Sequence, residues 1–236
     1  VDIPFRSIWN ILWGMDEGES VIWQNIIWKS RVPQALTAMV AGAGLAVSGL
    51  QMQTVFRNPL AGPSVLGISS GASLGVAFVV LLSGSIGGIA LSRLGFMGEI
   101  ALTMAAIIGA LSIMALIVYV SQKVHGNVTL LIIGVMIGYV ANAVIGVLKF
   151  FSVEEDIRAY VIWGLGSFAR VSGNQMMVFV CIMAVLLPLS FLLIKTLNLL
   201  LLGDAYARNL GLNIKRARLQ VIACSGVLVA IVTAYC

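Results

Sequence analysis

Apolar positions along this chain come in runs of about twenty, separated by short polar breaks, a pattern that predicts helices crossing a bilayer. The runs place spans at 33–56, 64–82, 97–121, 128–151, 176–202 and 219–236. The fifth is longer than a simple span requires. No stretch of about ten residues alternates apolar with polar positions, so a transmembrane β-barrel is excluded. Residues 158–170 predict a short helix lying at the membrane surface, and 1–30 read as a connector outside the bilayer. No Ser/Gly linker or charge block divides the chain, which predicts a single domain over 1–236.

The breaks have local causes. At Arg57-Asn58-Pro59, with Pro63 close behind, proline removes a donor and disfavours helix in the residue before it, so the first span ends there. Ser64 is then placed to cap the next helix. Between the last two spans, Gly203 and Asp204 suit a helix end followed by an Asp-capped start, Gly211 a second stop, and Asn213 a second start. Two short polar helices in such a loop form a docking surface, or else a basic segment resting on anionic headgroups; the residues support both readings evenly.

Small residues recur at i+4 steps: Ala38, Gly42 and Ala46; Gly67, Gly71 and Gly75; and Gly134, Gly138, Asn142 and Gly146. In lipid such stripes let helix backbones approach closely. Packing alone accounts for each of them. Asn142 makes the fourth span the candidate for lining a pathway, because a mid-span amide must face protein or water.

Composition agrees with the spans: 60% of residues are hydrophobic and 10% charged, and mean hydropathy is +1.06, too little charge for a soluble surface. The 14 basic residues divide evenly across the membrane when the first span is run inward, with Arg57, Lys123, Lys195, Arg208, Lys215, Arg216 and Arg218 on the inner side. The densest basic connector, 195–218, lies on that side, as the positive-inside rule favours. Trp9, Trp13, Trp23 and Trp28 suit an interfacial belt opposite. Residues 1–30 lack the basic-then-apolar order of a signal peptide. A start at Val1 without Met, and Cys236 within apolar sequence, lead us to expect a piece of a longer protein.

Chemistry is sparse. There is no G-x-x-x-x-G-K-[ST] loop, so ATP hydrolysis is not expected on this chain. His125 is the single histidine, and Cys181, Cys224 and Cys236 show no C-x-x-C spacing. We expect no catalytic residue, cofactor, metal site or nucleic-acid partner. Glu99, Lys149 and Lys195 lie near span ends, which argues against the alternative of an ion-coupled secondary transporter.

Arg31-Val32-Pro33, the Arg57-Asn58-Pro59-Leu60-Ala61 break, the run Leu66 to Ala72 and the loop Gly203 to Gly211 together resemble the FecCD/BtuC-like permeases, in order and in spacing. The resemblance implies an all-α polytopic transmembrane bundle, here a partial copy of a roughly ten-helix ABC importer permease lacking the first and last few helices. It implies uptake of ferric siderophore, haem or cobalamin-type chelates by alternating access across a bacterial inner membrane. The implied partners are a cytoplasmic ATP-binding subunit, an extracytoplasmic substrate-binding protein, a second permease copy and the lipid bilayer. Gly203, Asp204, Ala207, Arg208, Leu210 and Gly211 would belong to the ATPase-coupling helices of 203–216, and Arg31 would dock the binding protein. Gln34 stands where the family often has a second Arg. Gly134, Gly138, Asn142 and Gly146 would line the pathway.

Overall fold

The computed structural model describes residues 2–15, 20–83, 96–124, 127–171 and 173–236, and among them it is helical with no strand. His125 lies outside the described residues. A short amphipathic helix α1 (Phe5–Leu12) buries Ser7 and Ile11 and leaves Phe5 and Trp9 exposed, with the Trp9 and Trp13 rings 5.6 Å apart. Helix α2 (Val21–Ile26), a π-turn at Ile27–Arg31 and α3 (Val32–Phe56) form one rod of 36 residues. At 1.5 Å per residue the rod is about 54 Å long, well beyond the ~30 Å hydrocarbon thickness. Its first part, expected as connector, is therefore a helical extension of the span.

The second expected span differs most. A 3₁₀ turn at Pro63–Leu66 precedes α4 (Ile68–Ser83), whose 16 residues make only about 24 Å of helix. Leu66 lies against Gly134, seven residues into α6 (Asn127–Phe151), or about 10 Å along that helix. The non-helical stretch from Asn58 to Gly67 thus runs well into the bundle. Irregular backbone at that depth must be buried in protein, and Ala61, Leu66 and Ile68 are all but fully buried. Ser64 is not a side-chain cap; its carbonyl accepts from Gly67 N–H at 3.0 Å inside the 3₁₀ turn. Gly67 takes φ +71°, outside the helix, so the stripe keeps only Gly71 and Gly75.

Those two glycines set the closest packing in the bundle. Helix α5 (Phe96–Lys123) passes α4 with Gly109 against Gly71 and Gly75, and a Cβ on Gly75 would collide with the carbonyl oxygen of Ala105. Helix α7 (Glu154–Gly164) stands where a short helix was expected over 158–170, starting four residues earlier and ending six earlier. The long fifth span is two helices, α8 (Asn174–Phe191) and α9 (Ile194–Leu201), with a turn at Leu192 and Leu193. Pro188 has no N–H for the Ala184 carbonyl, which weakens the helix one turn before it stops.

Helix α10 (Asp204–Asn209) follows, then α11 (Ile214–Tyr235). The second short polar helix expected after Asn213 is instead the first turns of α11. With 56% of its apolar window buried against 17–33% for the other spans, α11 is the central helix. It packs on α3 and α5. Ser48 of α3 and Ser225 of α11 clasp through their hydroxyls at 2.6 Å, each hydroxyl also reaching the other residue's carbonyl. Among the described residues, five helices, Val21–Phe56, Met97–Lys123, Val128–Phe151, Asn174–Phe191 and Ile214–Tyr235, are long and apolar enough to cross a membrane. The chain is a multi-pass membrane protein.

Candidate functional site

The helix break and the polar loop, read separately along the sequence, meet at one end of the bundle. Helix α3 ends with Arg57 in the left-handed region (φ 49°, ψ 40°), its N–H directed to Thr54 O and that of Asn58 to Gln53 O. This is a Schellman closure, whose left-handed position is usually glycine. For a side chain it costs about 1–2 kcal/mol. Pro59 then occupies the second position of a turn closed by Ala61 N–H to Asn58 O, and the Asn58 side chain accepts from Leu60 N–H.

What offsets the Arg57 strain is its side chain. Nη2 donates to Asp204 Oδ1 at 2.6 Å and to the Leu200 carbonyl at 3.2 Å, tying α3 to α9 and α10. Arg218, one turn into α11, donates to Asp204 Oδ2 at 2.6 Å. One carboxylate therefore joins the ends of two spans to the short helix. Asp204 was expected as a helix cap. The structure corrects this: Gly203, at φ +105°, holds the cap position, and the Asp204 carboxylate is spent on the two arginines.

A six-residue helix is not stable by itself, since nucleation costs more than so few hydrogen bonds return. Three features hold α10 in place. Asp204 ties its first residue, Ala207 is fully buried, and Gly211 at φ +86° closes its end with N–H bonds from Gly211 to Arg208 O and Leu212 to Ala207 O. Asn213 then caps α11, accepting from Arg216 N–H at 3.2 Å. Ala207 is turned inward, and on the side of α10 away from Asp204 and Arg208 stand Tyr206 and Leu210, 69% and 62% exposed and one helical turn apart. Tyr206 was missed in the sequence; its i, i+4 spacing from Leu210, on the face away from Asp204 and Arg208, was the available signal.

Beside this helix is a cleft of about 570 Å³ between the ends of α3, α5, α6 and α11, walled by Arg57, Asp204, Arg208, Lys215 and Arg218.

The stripe on α6 divides. Gly134 and Gly138 are buried against Leu66, Gly67 and Ser70, so they are packing positions and not open lining. Asn142 is exposed, and Gly146 has open space where a Cβ would stand. Each i+4 step turns about 40° around the helix, so twelve residues carry the stripe about 120° from one neighbour to an open face.

Arg31 is exposed at the far end of the bundle from α10, and Gln34 donates to the Ser30 hydroxyl rather than standing free. Also at that end, Gln175 donates to Glu99 at 2.7 Å. Burial lowers the pKa of Arg170 there, an effect that Cys236 and Glu99 oppose. Among the described residues no group of His, Cys, Asp and Glu is arranged to hold a metal.

A family model described as the FecCD transport family matches residues 1–236. The chain is 35% identical over 230 residues to the hemin transport system permease protein HmuU of Yersinia pestis, covering 97% of this chain and 65% of that protein. It is 34% identical over 229 residues to the vitamin B12 import system permease protein BtuC of Pectobacterium atrosepticum, covering 96% and 63%. The chain thus spans just under two thirds of the length of these relatives. Its fold is similar to a solved structure described as an inward-facing conformation of a metal-chelate type ABC transporter, with a TM-score of 0.77, 30% identity, and coverage of 92% of this chain and 66% of that one.

Proposed function

The chain belongs to the FecCD transport family, and from that membership we propose that it is the permease part of an ATP-driven importer of metal chelates, of the hemin or vitamin B12 kind its relatives carry. The observation that carries the mechanism is the exposed Tyr206–Leu210 face on a helix tied by Asp204 to two spans. In this reading the α10 end is cytoplasmic, 203–216 is the coupling unit, and the exposed face seats in a separate ATP-binding subunit. Closure of that subunit moves α10. The Arg57–Asp204–Arg218 link passes the displacement to α3 and α11, and the packed bundle responds by rigid-body rocking, which is alternating access.

The remaining partners follow from the same orientation. A second permease copy faces α6, with Asn142 and Gly146 on the shared pathway. An extracytoplasmic binding protein docks at the end bearing Arg31. The membrane is the bacterial inner membrane. An ion-coupled carrier is not favoured, because the acids and bases described in the spans lie toward helix ends: Glu99 in the first turn of α5, Lys149 in the last turn of α6, and Lys215 to Arg218 at the start of α11. Affinity purification of the full-length protein, co-expressed with its candidate ATP-binding subunit, is expected to retain that subunit. A stable, folded permease that retains none contradicts the proposal.

A further inference from the structure

The cleft beside α10 carries more charge than the coupling link uses. Arg57, Arg208, Lys215 and Arg218 face it with one carboxylate, Asp204, leaving an excess of three positive charges. Asp204 takes one Nη of Arg57 and one of Arg218. Arg208 and Lys215 have no carboxylate partner among the cleft's lining residues, so their charge faces the cleft unmatched.

Apart from Ser121, the rest of the lining is apolar, Phe56, Val124, Leu130 and Ile222 among it. The cleft opens where α3 and α5 end and α6 and α11 begin, so it lies at the level where spans leave the hydrocarbon and headgroups begin. A volume of about 570 Å³ is far more than a bare phosphate ion fills. A lining of basic and apolar side chains at that depth matches a phosphate attached to a glycerol and the first methylenes of acyl chains.

We propose that this cleft binds the phosphate headgroup of an anionic glycerophospholipid, held by Arg208 and Lys215. The lipid sits behind α10, on the side away from Tyr206 and Leu210, and is a further tie between that helix and the spans. The proposal rests on the position of the cleft and not on the docking reading: lipid is measured on the permease alone, docking on the captured ATP-binding subunit, and either can fail without the other.

The test is native mass spectrometry of the delipidated full-length permease titrated with phosphatidylglycerol, phosphatidylcholine or inorganic phosphate. Phosphatidylglycerol is expected to bind, and more weakly as salt is raised. Each cation near a membrane surface contributes about fivefold, so Arg208→Gln with Lys215→Gln is expected to weaken binding about 30-fold. Lys215→Arg is expected to keep binding, and Arg158→Gln, on an exposed position of α7, to leave it unchanged. Unaltered melting temperatures confirm that the variants are folded. Equal retention of phosphatidylcholine, unchanged binding by the folded double variant, or displacement of the lipid by millimolar inorganic phosphate overturns the proposal.

Discussion

Arg57 and Asp204, 147 positions apart, meet at 2.6 Å and join the end of α3 to the start of α10. The pair is half-exposed on both sides. Such a contact contributes at most about 1 kcal/mol in isolation, so its importance lies in what it connects and not in what it adds to stability. Arg218 on the second carboxylate oxygen extends the connection to the central helix.

Removing that carboxylate separates mechanical from stabilising roles. Asp204→Asn gives up two ion pairs, each worth up to about 1 kcal/mol, and is expected to lower the melting temperature by no more than roughly 4–8 °C. Transport-coupled stimulation of ATPase activity in the reconstituted importer is expected to be largely lost. Retained stimulation would mean that the link does not transmit motion.

The left-handed backbone at Arg57 makes a second, opposite-signed expectation. Both Arg57→Ala and Arg57→Gly lose the Asp204 contact, but only glycine relieves the strained φ. The glycine variant is expected to be the more stable by about 1 kcal/mol, measured by chemical or thermal unfolding in detergent. Equal stabilities would show that the strain is absent.

Close packing of α4 on α5 predicts a sharp contrast between two glycines. Gly75→Ala drives a Cβ into the Ala105 carbonyl and is expected to cost about 1–3 kcal/mol or prevent folding. Gly146→Ala meets open space inside a helix and is expected to raise the isolated protein's stability, by up to about 1 kcal/mol. Melting temperatures of the two variants, side by side, check this.

The Ser48–Ser225 clasp should behave as a pair. Ser48→Ala removes the hydroxyl–hydroxyl bond, leaves the Ser225 hydroxyl only the carbonyl of residue 48, and is expected to cost about 1 kcal/mol. Adding Ser225→Ala is expected to cost less than a second such loss, since the shared bond is already gone. Full additivity in a double-mutant cycle would show that the hydroxyls do not interact.

Much of this was legible locally. Pro59 ends α3, Gly211 ends α10 and Asn213 caps α11 because each effect acts within a few residues, and those are visible in sequence. Hydropathy found the spans for the same reason. It failed at residues 64–67 because apolar composition does not distinguish a helix from a buried irregular segment, and both are screened from lipid by neighbours. It failed at Leu192 because the break follows Pro188 by a turn within an unbroken apolar run. Asp204 looked like a cap because the two arginines that claim its carboxylate are 147 and 14 positions away. The α6 stripe looked uniform because a row at i+4 steps drifts around the helix, placing Gly134 against Leu66 and Gly146 in the open.

The central claim is that the exposed face of α10 is where an ATP-binding subunit drives the bundle. The most direct measurement is ATP-dependent chelate uptake in proteoliposomes holding the full-length permease and its ATP-binding subunit, with Tyr206→Ser and Leu210→Ser combined. These side chains are exposed, so the permease is expected to melt as before while subunit capture and uptake are both lost. Uptake at the unmodified rate would contradict the account.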